Sequence, residues 1–201
     1  MKVLIIPTIR EFYKNQFEYC VDLRLVDFIK KVFKKPSIEI YDSVIKNNYD
    51  FIVFAGGNNL ITQTRADKNR KKINNTIYKF AIKKNIKMLG ICHGCHFLAK
   101  KNNFVIKKGK NHVGSHKVIF DINNNRFKKL VNSYHNEIIK FKKTKRTNIF
   151  GTGIDNTVEA FHIKTKRILG IMWHPERYKK FKYFDKKLIK EFYATNSIGS
   201  R

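Results

Sequence analysis

The sequence predicts an α/β fold. We expect one three-layer domain over residues 1–201, with a mostly parallel central sheet flanked by helices and a small antiparallel section. Short apolar runs, each long enough for one buried strand, alternate with stretches whose apolar residues recur at helical spacing. The clearest runs are Val3–Pro7, Phe51–Phe54 and Met88–Ile91. This alternation indicates parallel strands joined by right-handed crossovers.

The first half of the chain supplies the crossover helices of that sheet. Apolar residues of Gln16–Phe33 recur close to helical spacing and predict the first helix, with Asp22 and Arg24 on its polar face. Ile38–Tyr41 is a candidate second strand. The basic stretch Arg65–Lys84 predicts a surface helix with one apolar stripe.

After residue 101 the pattern changes to short strand-like segments separated by Asn, Gly and His. Such segments predict antiparallel strands, and the last two of them predict a hairpin. Tyr183–Tyr193 predicts a closing amphipathic helix. The segments are Phe104–Ile106, Lys117–Phe120, Phe127–Val131, Thr157–Ile163 and Arg167–Met172.

The most informative stretch surrounds Cys92, where a predicted strand is followed at once by a predicted helix. Gly90 and Gly94 flank the thiol two residues away on either side, which permits a tight turn without Cβ clashes. This layout is that of a nucleophile elbow, which lifts a side chain above the carboxyl edge of the sheet. The positive end of the helix dipole also stabilises negative charge there. Cys92 is therefore the candidate nucleophile.

The same residues fit other chemistries. Cys92–His96 reads C-x-x-C-H, the haem c attachment pattern, and it contains C-x-x-C, which occurs in redox pairs and half zinc sites. Haem c attachment needs an export signal, which we do not find, and the only cysteine left for a zinc site is Cys20. No carboxylate or cysteine lies at ligand spacing beside His112 and His116. We therefore predict no metal.

A histidine with a carboxylate partner follows the last predicted core strand. His174 and Glu176 are two residues apart, so they point the same way from an extended chain, and Pro175 stiffens the segment between them. The carboxylate can then hold the imidazole in one tautomer, as the acid of a catalytic triad does. Gly56 and Gly57 follow another strand and can turn backbone N–H groups toward the same edge, as an oxyanion hole requires.

The chain carries 43 Lys and Arg against 15 Asp and Glu, a net charge of +28. Such a field would attract nucleic acid. A Lys-, Ile- and Asn-rich usage typical of an AT-rich genome is the favoured explanation, because the basic residues are spread along the whole chain. Attraction of a small phosphorylated substrate is a third possibility. Three cysteines and the lack of a long apolar run predict a soluble, cytoplasmic protein.

Together these motifs resemble the class I glutamine amidotransferase family, in particular its single-domain γ-glutamyl hydrolase branch. The resemblance implies a flavodoxin-like fold and cleavage of a γ-glutamyl amide bond to release L-glutamate. The motifs that carry it, in matching order and spacing, are Gly56-Gly57, Gly90–Gly94, Asn132–His135, Val158–Ala160 and His174–Glu176.

The resemblance also implies a role for individual residues, and neither a cofactor nor a metal. Cys92, His174 and Glu176 would form the catalytic triad. The backbone N–H groups of Gly57 and His93 would form the oxyanion hole. The substrate-binding residues would be Gly56, Asn58, His96, Ser133, Tyr134 and His135.

The chain departs from the family pattern at His96, where amidotransferases usually have a glutamine that helps to hold the substrate glutamine. This departure suggests a different or larger leaving group. The chain is most similar to the γ-L-glutamyl-CDP-amidate hydrolases of capsule phosphoramidate biosynthesis, which leave cytidine diphosphoramidate. We therefore expect a small, nucleotide-linked substrate, no nucleic-acid or membrane partner, and a monomer or small homo-oligomer.

Two alternatives remain open at this point. The first is a glutaminase subunit that supplies ammonia to a synthetase partner. The second is a non-catalytic, basic nucleic-acid-binding module on a hydrolase fold, which would bind with strong salt dependence.

Overall fold

A nine-stranded mixed sheet forms the centre of the fold. The computed structural model describes residues 1–46, 48–60, 64–109, 112–140 and 147–198. The helices are α1 (Leu23–Val32), α2 (Arg65–Lys83), α3 (His93–Lys100) and α4 (Tyr183–Thr195). The strands are β1 (Lys2–Ile6), β2 (Thr8–Tyr13), β3 (Gln16–Cys20), β4 (Ser37–Ile40), β5 (Phe51–Phe54), β6 (Lys87–Ile91), β7 (Val105–Lys108), β8 (Val113–Ile122), β9 (Asn125–Tyr134), β10 (Glu137–Lys140), β11 (Asn148–Gly153), β12 (Val158–Ile163) and β13 (Ile168–Ile171).

The large sheet has the strand order β4-β1-β5-β6-β13-β12-β11-β8-β9. Strands β4, β1, β5, β6 and β13 are parallel to one another, and the other four continue the sheet in antiparallel fashion. The predicted α/β class with a parallel core and an antiparallel section is confirmed. The antiparallel part is larger than expected because β8 and β9 pair along their full ten residues.

Two helical layers cover the sheet, one on each face. The side chains of β1 alternate: Val3 and Ile5 pack toward α1 and α4, whereas Leu4 and Ile6 pack toward α2 and α3. Apart from Lys2 and Lys87 at their first positions, strands β1, β5, β6 and β13 consist of apolar residues and glycine, because both faces of the sheet are covered. No helix in the described part of the chain is long and apolar enough to cross a membrane.

The prediction of one helix over Gln16–Phe33 was wrong for its first part. Residues Gln16–Cys20 form β3, which pairs with β2 in a hairpin whose turn holds Asn15 at a φ of 67°. The helix begins only at Leu23, because the Asp22 side chain accepts a hydrogen bond from the Arg24 N–H (2.9 Å) and caps it. Phe17 and Tyr19 of β3 are 38% and 43% exposed, so these apolar residues do not form the buried stripe of a helix.

The carboxyl ends of the parallel strands meet at one edge of the sheet. The register pairs Ile6 of β1 with Phe54 of β5, Phe54 with Gly90 of β6, and Gly90 with Gly170 of β13. The residues that follow these positions therefore converge, as they do at the ligand-binding edge of open α/β sheets.

Candidate active site

The turn at Cys92 has the geometry of a nucleophile elbow. Cys92 adopts φ 50° and ψ −105°, a conformation that costs a non-glycine residue roughly 1–3 kcal/mol. A Cβ at Gly94 would lie 2.0 Å from the Phe54 carbonyl oxygen, and one at Gly90 would lie 2.6 Å from the Gly94 backbone. Both glycines are therefore required for α3 to pack directly against the strand ends, which fixes the thiol at the sheet edge.

A histidine–glutamate pair lies beyond the end of β13. The Nδ1 of His174 is 2.5 Å from the Oε1 of Glu176, and both side chains are buried. The carboxylate oxygen accepts the Nδ1 proton, which leaves Nε2 as the nitrogen available to another group. The predicted partnership of these two residues is thus present in the structure.

Two side chains from elsewhere in the chain hold this pair in place. The amide of Asn132 donates to the His174 carbonyl (2.8 Å) and accepts from the His174 N–H (2.8 Å). Arg24 of α1 donates to the carbonyls of Glu176 (2.9 Å) and Tyr178. The backbone on both sides of the imidazole is thereby fixed.

The pKa of His174 reflects its two partners. Burial alone would lower it, but hydrogen bonds to Cys92 and Glu176 raise the pKa of His174 to about 9. The imidazole is therefore cationic at neutral pH and lies next to the Cys92 sulfur. A cationic imidazole beside a cysteine sulfur is the arrangement expected around a nucleophilic cysteine.

The glycine loop after β5 packs against the same histidine. A Cβ at Gly56 would lie 2.4 Å from the His174 Cε1, so only glycine lets the ring approach. Gly57 has a φ of 79°, in the region that favours glycine. Gly57 and His93 line the same cavity as Cys92, as an oxyanion hole between these two backbones would require.

A buried arginine, absent from the sequence-based site, organises this loop. The side chain of Arg70 of α2 is fully buried, and burial lowers its pKa to about 9. Its guanidinium donates to the carbonyls of Ala55 (2.5 Å), Gly56 (2.8 Å) and Gly57 (2.9 Å), and to the side chains of Thr8 and Asn58 (both 3.1 Å).

The sequence did contain a signal for Arg70. It lies on the helical face that continues through Asn74 to the buried Ile77 and Ala81. A charged residue at a position of the apolar stripe indicates a buried, hydrogen-bonded role.

Two cavities adjoin the His174 ring. The smaller, of about 140 Å³, is lined by Cys92 and by residues of α3 and of the segment after β9. The larger, of about 300 Å³, is lined by Arg10, Asp22 and the glycine loop. Gly57, His174 and Arg177 line both, so the two cavities are adjacent.

Comparison with known proteins identifies the family. The family profile described as "Glutamine amidotransferase class-I" matches residues 9–195. The chain belongs to the class I glutamine amidotransferase family. It is also 33% identical over 154 residues to the γ-glutamyl-CDP-amidate hydrolase of Campylobacter jejuni, an alignment that covers 75% of this chain and 74% of that protein.

Two solved structures share the fold of this chain. A glutamine amidotransferase from Thermotoga maritima superposes with a TM-score of 0.68 at 18% identity, covering 97% of this chain and 82% of that one. A proposed GMP synthase chain from Thermoplasma acidophilum also gives 0.68, at 17% identity and 96% and 92% coverage. The flavodoxin-like α/β architecture expected from the motifs is thus confirmed.

Most of the predicted substrate-binding residues of this chain lie around the cavities. His96, Tyr134 and His135 line the smaller cavity, and Gly56 lines the larger one. Asn58 also lines the smaller cavity, but its amide is bonded to Ile9, Asp67 and Arg70 and therefore holds the loop in place.

Ser133 differs from the other predicted residues. Its side chain is fully buried, it does not line either cavity, and its hydroxyl donates to the His112 carbonyl (2.5 Å). The Ser133 hydroxyl is therefore engaged in an internal hydrogen bond and does not face either cavity.

Glu137 and Arg177, which were not among the predicted site residues, also line the smaller cavity. Glu137 contributes a carboxylate there, and its Oε1 accepts from the Leu60 N–H (3.2 Å). His96 faces this segment, with its Nε2 3.0 Å from the Glu137 carbonyl, and burial lowers the pKa of His96 to about 3. A neutral His96 thus stands where most amidotransferases have a glutamine. Arg177 closes the cavity from the other side, with its guanidinium over the ring of Tyr134.

Proposed function

We propose that this amidotransferase-family chain is a cysteine-dependent hydrolase that cleaves a γ-glutamyl amide bond and releases L-glutamate. The observation that carries the proposal is the juxtaposition of Cys92, on a strained turn, with a cationic His174 that Glu176 holds in one orientation. An apolar packing site would need neither the strained turn nor the buried ion pair.

The reaction follows from these groups. The Cys92 thiolate attacks the γ-carbonyl carbon, and the oxyanion of the tetrahedral intermediate accepts hydrogen bonds from the Gly57 and His93 N–H groups. One such donor contributes roughly 3–4 kcal/mol to the transition state. The His174 imidazolium then protonates the departing nitrogen, which leaves a γ-glutamyl thioester on Cys92.

Hydrolysis of the thioester completes the cycle. His174, now neutral, accepts a proton from water, and the resulting hydroxide attacks the thioester carbonyl. The C–S bond breaks, glutamate leaves, and the thiolate–imidazolium pair is restored. The hydrogen bond to Glu176 keeps the His174 ring in the same orientation during both proton transfers.

The smaller cavity is the proposed γ-glutamyl pocket. It adjoins Cys92 and ends in the Glu137 carboxylate, which has the charge to complement the α-ammonium group of a glutamyl substrate. Glu137→Gln should raise KM for every γ-glutamyl substrate by about tenfold, the effect of one weakened charge-assisted hydrogen bond. An unchanged KM would place the ammonium group elsewhere.

The larger cavity is the proposed leaving-group site, and the leaving group is proposed to be a cytidine diphosphoramidate. Arg10 and Arg177 line this cavity, and guanidinium groups suit the oxygens of a pyrophosphate. The relative from Campylobacter jejuni is named for this substrate. The overall charge of +28 would favour the approach of such an anion.

Glutamate release tests the proposal. Purified protein is offered L-glutamine, a γ-glutamyl anilide and γ-glutamyl-CDP-amidate, each with a Cys92→Ala control. We expect the nucleotide substrate to be hydrolysed fastest and the Cys92→Ala protein to be inactive but folded. Turnover of glutamine alone would favour an ammonia-supplying subunit, and turnover without Cys92 would refute the mechanism.

A further inference from the structure

A second cluster of ionisable groups lies beside the smaller cavity, outside the Cys92–His174–Glu176 set. It consists of His112 before β8, His116 in β8, His135 after β9 and Glu159 in β12. The Glu159 carboxylate is buried at its centre, 3.3 Å from the Nδ1 of His112 and 3.3 Å from the Nε2 of His116. The Nε2 of His135 is 3.8 Å away.

Outer partners fix the orientation of two of these imidazoles. The Nε2 of His112 is 3.0 Å from the Asp155 carboxylate, and the Nδ1 of His135 is 2.7 Å from the Glu137 carbonyl. Both partners can only accept, so each of these outer nitrogens carries the proton. The inner nitrogens, Nδ1 of His112 and Nε2 of His135, are therefore the basic ones in the neutral rings, and both face Glu159.

The inner atoms do not satisfy one another by hydrogen bonding. Among the described residues, the Nδ1 of His112, the Nε2 atoms of His116 and His135 and the Oε2 of Glu159 are buried without a hydrogen-bond partner. A carboxylate oxygen and two basic nitrogens repel unless a cation lies between them. Their separations of 3.3–3.8 Å match the spacing of about 3.3 Å between ligand atoms of a tetrahedral zinc site with bonds of about 2.0–2.1 Å.

We infer that this cluster binds one divalent transition-metal ion of the zinc class, with His112, His135 and Glu159 as its protein ligands. The ligand atoms of these three residues all lie within 4.8 Å of one another. Asp155 and the Glu137 carbonyl serve as the outer hydrogen-bond acceptors that metal-bound histidines usually have. No carboxylate lies at ligand spacing from His112 along the chain, because Glu159 belongs to a different strand, β12.

The ion would join β8, β9 and β12 and would hold the segment after β9 that lines the smaller cavity. This role is structural, and it does not depend on the proposed hydrolysis. The site can therefore be tested in the inactive Cys92→Ala protein, in which the cavity thiol cannot bind the metal.

The test is titration of chelator-treated Cys92→Ala protein with Co²⁺ and with Zn²⁺ at fixed pH. We expect one ion per chain, a visible d–d spectrum of tetrahedral Co²⁺ that Zn²⁺ abolishes, and a higher Tm with either ion. Asp155 is 46% exposed, so Asp155→Asn should fold normally and weaken binding by about 10–100-fold, the usual effect of losing an outer partner. Glu159→Gln should abolish stoichiometric binding.

His162→Gln is the matched control. His162 is a second buried histidine of β12, but it packs against Phe192 of α4. Its replacement should leave the affinity within twofold. The inference is overturned if the Cys92→Ala protein takes up no stoichiometric metal, or if Asp155→Asn binds as tightly as its parent. In that case, protons shared among the histidines would neutralise Glu159.

Discussion

Replacement of Arg70 by lysine tests whether this buried side chain positions the oxyanion loop. The guanidinium makes five hydrogen bonds, three of them to consecutive carbonyls from Ala55 to Gly57. A lysine keeps the charge but has only three donors on one nitrogen, so at least two of the five bonds must be lost.

The magnitude follows from those lost bonds. Hydrogen bonds to a charged group contribute about 1.5–3 kcal/mol each, so we expect Arg70→Lys to lower the free energy of unfolding by about 3 kcal/mol. An oxyanion-hole donor stabilises the transition state by about 3–4 kcal/mol. If the Gly57 peptide tilts so that its N–H loses half of that stabilisation, kcat falls by about 10–30-fold. KM should change little, because the oxyanion forms only in the transition state.

The assay is the measurement of kcat and KM on the best γ-glutamyl substrate, together with urea unfolding of the same preparation. Arg65→Lys is the matched control, because Arg65 lies on the same helix and is exposed. It should leave kcat and stability unchanged. A folded Arg70→Lys protein with a kcat within twofold of the wild type would refute a positioning role for Arg70.

Three further outcomes are expected. The pKa of His174, about 9 in the wild type, should fall in Cys92→Ala because one hydrogen-bond partner is lost. NMR titration of the His174 ring measures this pKa, and an unchanged value would show that the two side chains do not interact. Burial raises the pKa of Asp185 to about 6, so the folded state binds this proton more tightly and stability falls as pH rises from about 4 to 6. Asp185→Asn should remove this loss of stability and raise the free energy of unfolding at pH 7 by at most about 3 kcal/mol. Thermal unfolding as a function of pH measures the change, and a pH dependence like that of the wild type would contradict the prediction. Gly94→Ala should abolish soluble expression or lower Tm sharply because its Cβ would overlap a backbone carbonyl of β5, whereas Gly114→Ala, with open space around its Cβ, should cost only the strain of a positive φ.

The sequence was sufficient where a local arrangement depends on neighbours along the chain. The elbow needs small residues at fixed distances from Cys92, and the glutamate that orients His174 is two residues away. Such features require no knowledge of how the strands pair. They predicted both halves of the candidate site and the edge of the sheet at which the halves meet.

The sequence was insufficient where the role of a residue depends on the element that packs against it in the fold. The segment Gln16–Cys20 was mistaken for helix because its apolar residues happened to continue the spacing of α1, whereas they belong to a partly exposed hairpin. Arg70 was not singled out from the basic helix predicted over Arg65–Lys84, because a charged residue on such a helix is usually solvated. The hydrogen bonds from Arg70 to the carbonyls of Ala55, Gly56 and Gly57 become visible only once α2 is packed against the glycine loop.

The histidine cluster shows which additional step would have extended the prediction. Asn123 and Asn124 both have positive φ (54° and 60°), as the central residues of a type I′ hairpin turn require, and this turn fixes the register of β8 against β9. Counting outward from the turn pairs Val113 with Tyr134 and thus brings His112 opposite His135, whose N–H donates to the His112 carbonyl (3.2 Å). Spacing along the chain can identify candidate metal-binding side chains that lie on one element. Side chains on paired strands are matched only by counting residues outward from the turn that joins the two strands.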